Sequence, residues 1–559
     1  MNQTRVFLLF AWLMVATLLW MEWGKERAAP AAATPAATRA VPGAGAVPAT
    51  PATGTVPAAP LAAPASGTPA ATPGVVTVQT DVMRVVLDGG EVRQADLLAY
   101  PGAGAERGPV RLLDADAARY FVAQSGWISA THPAPTHQSG FVPAGTERTY
   151  ALADGAPRVD VPFVWQGPNG VTIRRTYTFA RGQYTVQVRD EVANAGSAPW
   201  QGHVYRQLGR VPRAPANAGP MSAESYSFQG AAWFTGSDYE RRDYEDYADE
   251  PALSQAVTGG WVAMLQHHFF AAWIPQATDA TTIQTAMAPI PGGQASIIRE
   301  VGPGLSVAPG QRGETTARLW IGPKLVSQIQ AQNVPGLERA IDYSGISVFA
   351  TLAGWLYAVL SWLHGLTGNW GWAIVGLVVL IKIALLPLAN AQYRSMAKMR
   401  RLQPKLAELK ERYGEDRQAF GMAQMELFRK EKVNPLGGCL PILVQMPIFL
   451  ALYWMLSESV ELRHAPWIGW ITDLTARDPY FVLPAINLAV MYTTQKLSPM
   501  TGVDPMQQKM MMFMPIVFGV MFAFFPAGLV LYWVTNGLLS LAQQVYFLRK
   551  YGDPKAKAA

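Results

Sequence analysis

Lys382 is the residue whose position most needs a physical account. It lies in the apolar segment 370–389, between Val378, Val379, Leu380 and Ile381 on one side and Ile383 and Ala384 on the other. A charge at the centre of a spanning helix costs about 2.5–3.5 kcal/mol on insertion scales. The other C-terminal apolar segments (438–457, 479–496, 510–525 and 527–547) contain no Asp or Glu to pair with it. Two arrangements tolerate such a lysine. Its stem can snorkel to the inner surface, since Ala389 is only roughly 10 Å further along a helix. Alternatively it faces a wet, positively charged groove open to the cell interior. Gln445, Asn487, Tyr532, Thr535 and Asn536 sit in the neighbouring segments, and Trp533 adjoins Tyr532. Each polar residue alone reads as an interhelical hydrogen bond; together with Lys382 they outline a hydrated groove.

Two further stretches carry recognisable chemistry. The run Lys509-Met510-Met511-Met512-Phe513-Met514 presents flexible, polarizable thioethers that suit varied apolar partners, or simply ordinary helix packing. The connection 389–434 holds eleven Lys and Arg, including Lys398, Arg400, Arg401 and Lys405, against six acids. Within it Met396, Met399, Leu402, Leu406, Leu409 and Tyr413 recur at helical spacing up to Gly414, and Met422, Met425 and Phe428 mark a second amphipathic stretch. This predicts a basic helical hairpin, bent at Pro404, whose positive face can meet anionic lipid, ribosomal RNA or a targeting factor. A solvated loop accounts for the charge equally well, but not for the apolar stripe.

There is no Walker loop, HExxH, GxSxG or metal-spaced Cys/His cluster, so no enzyme, cofactor or metal is expected. The adjacent His267 and His268 read as structural. Cys439 is the single cysteine, which excludes an intrachain disulfide and reads as packing.

The elements that must position these residues follow from the composition shifts along the chain. Only 15% of the 559 residues are charged, against about 25% in soluble domains. Residues 1–23, with Arg5 before the apolar run Val6–Met21, read as a signal peptide or a retained anchor, and the length of the run favours the anchor. Residues 24–74, rich in Ala, Pro and Thr, read as an extended spacer. Residues 75–325 are punctuated by Gly and Pro, and Val171–Ala180 and Gln183–Val188 alternate around Arg181-Gly182. They predict a large antiparallel β-sandwich. The run Asp238–Glu250, mixing Tyr with Asp, Glu and Arg, reads as a solvated loop or a partner site.

Charge sets the topology. The basic connection 390–434 and the tail 548–559, with Arg549, Lys550, Lys555 and Lys557, belong inside. The anchor plus five spans (370–389 and four within 435–547) satisfies this. Were 346–364 also to cross, the most basic loop would lie outside. The segment within 326–369 is therefore expected to lie in the outer interface with its aromatic face in lipid.

Several runs then carry a resemblance: NAQYRSMAKMR (390–400), KVNPLGGC (432–439), QMPIFLAL (445–452), VELR (460–463), DPMQQ (504–508) and GLVLY (528–532). In this order they resemble the Gram-negative YidC-type membrane protein insertases over the whole chain, more loosely in the β-domain. The resemblance implies a bacterial inner-membrane protein with six transmembrane helices including the anchor, and an all-β supersandwich in the periplasm. It implies a helical core enclosing a hydrophilic groove whose cationic residue maps onto Lys382. Most relatives carry arginine there; lysine keeps the charge but loses the planar fork. A greasy exit path is implied between 438–457 (Leu443, Met446, Phe449) and 510–525 (Met510, Met514, Phe518). Implied partners are nascent membrane proteins, the Sec translocon with accessory export subunits, the bilayer, and ribosome and targeting factors at the hairpin and tail. Two rival readings remain: a transporter with Lys382 binding a small anion, and an envelope protein whose β-domain holds glycan.

Overall fold

The computed structural model describes residues 74–102, 108–130, 132–138, 140–212, 227–290, 293–413, 416–431, 440–497 and 505–551. The expected anchor at 1–23, nearly all of the spacer and Cys439 lie outside these residues.

Residues 75–323 form two stacked sheets. One has ten strands, running from an edge at Ser254–Thr258 to Thr149–Ala151; the other has nine, from Tyr239–Asp243 to Val142–Pro143. Alternation explains why. In Val171–Ala180 the odd-numbered residues are buried and their neighbours are not, so one face of a period-two strand goes into the core. The chain reverses at Gly182, whose φ of 69° suits a residue without Cβ, and Thr185–Asn194 pairs back antiparallel. Trp261 and Trp320 are buried on the outer face of the nine-stranded sheet, where the Trp261 indole donates to the Pro335 carbonyl, and Trp127, Trp200 and Trp273 fill the space between the sheets. Arg175 is buried among them, held by two 2.7 Å bonds to Asp190, which also accepts from the Trp127 indole. One pairing departs from the expected antiparallel pattern: Val75–Gln79 runs parallel to Thr149–Ala151. The run 238–250 forms the edge strand Tyr239–Asp243 and the helical turn α1 (Asp246–Asp249). Tyr247 is buried there and Arg242 pairs with Glu250. Most of the run is solvent-exposed, as expected of a solvated stretch, and Arg242 and Tyr247 anchor it to the domain.

The short helix α2 (Val326–Ala331) leads into the helical region: α3 (Ser347–Thr367), α4 (Trp370–Ala384), α5 (Leu386–Arg401), α6 (Gln403–Tyr413), α7 (Arg417–Lys430), α8 (Leu440–Glu458), α9 (Val482–Leu497), α10 (Pro505–Phe522) and α11 (Ala527–Tyr551). Helix α11 is central and packs on α4, α5, α8 and α9; α3 packs on α4 and α8, and α10 packs on α9. Among the described residues α3 alone is long and apolar enough to cross a bilayer unaided, and α4 with the start of α5 makes a second candidate, bent by 60°. The bend corrects the expected straight helix over 370–389. Pro387 cannot donate to Ile383 and its ring would meet that carbonyl, so the helix ends at Ala384. Asn369 caps the other end, accepting from the Trp372 amide while its own amide donates to Pro466 and Trp467 carbonyls. The expected hairpin break at Pro404 falls at Leu402, between α5 and α6. Leu402 and Phe428 bury against each other with Met399 and Leu406, closing α6 on α7.

Candidate functional site

The bend places Lys382 in the last turn of α4 rather than deep within a longer helix. A cation there faces the negative end of the helix dipole, which lowers the cost of its charge. The ammonium donates to Ser540 Oγ on α11 at 2.7 Å, and no ion pair reaches it among the described residues. Ser540 in turn donates to the Asn536 carbonyl one turn earlier, at 2.7 Å. Asn536 Oδ1 accepts from Gln445 Nε2 of α8 at 3.2 Å. Lys382, Ser540, Asn536 and Gln445 thus form one polar row linking three helices, and all four are partly exposed. An ammonium has three donors and each amide has donors and acceptors to spare, so a row this sparsely bonded calls for water.

Tyr532 and Trp533 belong to a different environment from the one expected. Tyr532 is 4% exposed and stacks on Phe449 at 6.2 Å, while Trp533 contacts Phe449 at 4.9 Å and Phe522 at 5.2 Å. They form an aromatic cluster one to two turns above Asn536 and Ser540, on the outer side of the row. Thr535 bonds its own helix at the Leu531 carbonyl. Asn487 is buried at 1% exposure with its amide directed to Met491 Sδ at 3.7 Å, so none of its described bonds joins the row. Ser540 was not singled out in the sequence. Its signal is the four-residue spacing from Asn536, which puts both on one face of α11.

Helix α8 carries Gln445 of this row, and α10 packs on α9 and reaches the aromatic cluster through Phe522. Met446 on α8 and Met512, Phe513, Met514, Val517 and Val520 on α10 are exposed. Phe518 is half-buried near Phe522 at 6.4 Å. Leu443 and Met510 lie on α8 and α10, but their side chains are outside the described residues. On the basic helices Lys398 is exposed, Arg401 donates to the Tyr551 carbonyl at 3.4 Å, and Lys405 pairs with Glu431 at 2.6 Å. The Arg400 side chain is outside the described residues. Tyr393 stacks on Phe547 at 5.0 Å, which joins α5 to the inner half of α11.

A two-sheet β-domain seated on a helical bundle, with a lysine-centred polar row flanked by exposed thioethers and aromatics, defines a membrane-embedded helical core with a large extramembrane domain. The family description "60Kd inner membrane protein" matches residues 362–554, and "YidC periplasmic domain" matches 75–359. A membrane protein insertase YidC of Stenotrophomonas maltophilia (strain R551-3) is 55% identical over 566 residues, covering 100% of this chain and 98% of its own length. One from Xanthomonas campestris pv. campestris (strain ATCC 33913) is 54% identical over 573 residues, with coverage of 100% and 99%. A solved structure of an active YidC insertase is 18% identical, covering 84% of this chain and 94% of that one, with a TM-score of 0.37. The chain belongs to the YidC family of membrane protein insertases, inner-membrane proteins with a periplasmic β-domain.

Proposed function

We propose that the chain inserts nascent hydrophobic segments through a cytoplasm-open groove built on the Lys382 row. The observation that carries this reading is the Lys382–Ser540–Asn536–Gln445 row, with a cation that has no ion pair among the described residues at one end and an aromatic cluster on its outer side. The short polar leader of a substrate, often acidic, enters from the inner side and is drawn toward the ammonium. Water along the row offsets much of the desolvation that a polar leader meets in hydrocarbon. The apolar segment moves into lipid between α8 and α10, along Met446 and Met514, and burial of its apolar surface drives the step. No covalent chemistry is needed.

The same reading has six transmembrane helices: the anchor, α4, α8, α9, α10 and α11. Charge parity supports it, because a crossing by α3 would put α5 to α7 with their basic residues outside. Val348, Trp355, Val359, Trp362 and Leu366 form an exposed apolar stripe on α3, suited to a helix lying in the outer interface. Helices α5 to α7 and the tail are assigned to ribosome and targeting factors, and the Sec translocon with its accessory subunits is the proposed partner in the membrane.

The test is reconstitution in liposomes with a small single-span substrate bearing an acidic leader. Lys382→Ala is expected to slow insertion about tenfold, the loss of ~1.4 kcal/mol of attraction, and Lys382→Arg to preserve it. Unchanged insertion by the alanine variant would remove the electrostatic role.

A further inference from the structure

Helix α8 is closed at its outer end by residues distant in sequence. The carbonyl of Ser457, in its last turn, accepts from His267 Nε2 at 2.8 Å and from His268 Nε2 at 3.2 Å, two stacked imidazoles of the β-domain. A carbonyl only accepts, so both rings carry their proton on Nε2. The neighbouring Glu458 carboxylate meets Lys324 Nζ at 3.2 Å, and that ammonium also donates to the Ile341 carbonyl at 3.1 Å. Both side chains of this ion pair are almost wholly buried. Just beyond, Glu461 Oε1 accepts from the Val326 amide at 3.1 Å and from the Tyr357 hydroxyl of α3 at 2.7 Å. Arg463 Nη2 donates to Pro101 in the β-domain at 2.8 Å. One of the carbonyls that a helix leaves unsatisfied at its C-terminus, that of Ser457, is here satisfied by residues distant in sequence, and a buried cation complements the dipole.

We infer that the base of the β-domain is a positioning element of the insertion groove: His267, His268 and Lys324 hold the outer end of α8, and thereby the wall that carries Gln445 and Met446. Gln445 lies thirteen residues before Glu458, about 20 Å along the same helix. The facing wall, α10, has no such joint among the described residues. It packs on α9 through Gly519 against Leu488. One wall is pinned from the periplasmic side and the other is free to yield, so a substrate leaving the groove displaces α10. The inference rests on the groove reading above, and Lys324, Glu458 and the two histidines are positioning residues that touch no substrate.

The experiment uses the full chain in liposomes with a photo-reactive residue at Met446 or at Met514, and an arrested single-span substrate. Glu458→Gln and Lys324→Met each strand one member of the buried pair. Each is expected to slow insertion about tenfold and to lower the substrate adduct at 446 relative to that at 514, whereas the double variant Lys324→Met/Glu458→Met returns both readouts to within about twofold of the parent. A variant that simply folded poorly would lower both adducts in proportion. An unchanged adduct ratio in the single variants, at any insertion rate, would overturn the positioning role. So would a changed ratio with an unchanged rate, or a double variant that fails to recover. Lys382→Ala is measured alongside: normal insertion by that variant would count against the groove itself, and a defect there with an unchanged ratio in the joint variants would count only against the brace.

Discussion

Replacing Ser540 by alanine separates a wet polar row from a dry one. The hydroxyl accepts from the Lys382 ammonium at 2.7 Å and donates to the Asn536 carbonyl, so the substitution removes the described partner of a cation. In a dry bundle the stranded ammonium costs about 1.5–3 kcal/mol, the range for hydrogen bonds to charged groups and for unsatisfied polar ones. In a hydrated groove a water takes the place of the hydroxyl with nearly the same enthalpy. Alanine then also gains about 0.5 kcal/mol of helix propensity over serine and relieves a back-bond that bends helices. The wet reading therefore expects a net change within ~0.5 kcal/mol of zero. The assay is equilibrium unfolding in mixed micelles of the parent, Ser540→Ala, Lys382→Met and the double variant, with insertion measured on each. A coupling energy between the two sites below about 1 kcal/mol, with Ser540→Ala still inserting, is the expected outcome. A coupling above about 2 kcal/mol would show that the serine alone solvates the lysine, and the route for polar leaders would fail.

Two further tests address the frame around the row. His137 is buried with its Nδ1 2.6 Å from the Tyr205 hydroxyl, and burial pushes its imidazole down to about 4. A depressed folded value means the unfolded chain binds the extra proton first. The stabilisation is thus complete above pH 6.5 and is lost as pH falls toward 4, by about 3 kcal/mol in total. Chemical denaturation followed by β-domain tryptophan fluorescence should show that slope, and His137→Gln should flatten it; an equal slope in the variant would refute the assignment. In α4, a Cβ at Gly371 would collide with the Trp467 ring of the outer loop. Gly371→Ala is expected to cost about 1–3 kcal/mol through overpacking and to shift Trp467 emission; a variant as stable as the parent would show that the loop yields freely.

The two-sheet domain was legible because its strands declare themselves locally. The alternation in 171–180 and the turn at Arg181-Gly182 lie within one short stretch, and burial on one face enforces the register. Lys382 was legible for the opposite reason, as a single residue at odds with its surroundings. What the sequence concealed depends on long-range contact or on a backbone break. The bend at Leu385 moved Lys382 from mid-helix to a helix end, a change that one proline near a segment boundary does not announce. Asn487 and Tyr532 illustrate a further limit. Polar atoms on neighbouring helices fix neither which face they occupy nor whether aromatic rings claim them first. Tyr532 carries a large ring, and stacking on Phe449 governs its place more than its hydroxyl does. The joint of Lys324 with Glu458 was beyond local reading altogether, since 134 residues separate its members.

Taken together, the helix end at Ala384 and the row on α11 change how the cost of the charge is met. An isolated ammonium at a bilayer midplane has to be offset by something equally strong nearby, and no carboxylate does so among the described residues. At the end of a 15-residue helix, about 22 Å long, it lies well short of the roughly 30 Å that a full crossing needs. On the proposed reading, α4 stops short on its inner side and α5 turns away by 60°, which leaves the groove open there. On that reading three modest terms act at once: the dipole at the helix end, the Ser540 hydroxyl, and solvent entering where α4 stops short. Each is weak enough to be exchanged. A substrate carboxylate could replace the hydroxyl or a water without paying to break a salt bridge, and could leave again once its apolar segment has moved into lipid. A permanent carboxylate partner for Lys382 would hold the charge more firmly but leave the site with nothing to offer an arriving leader.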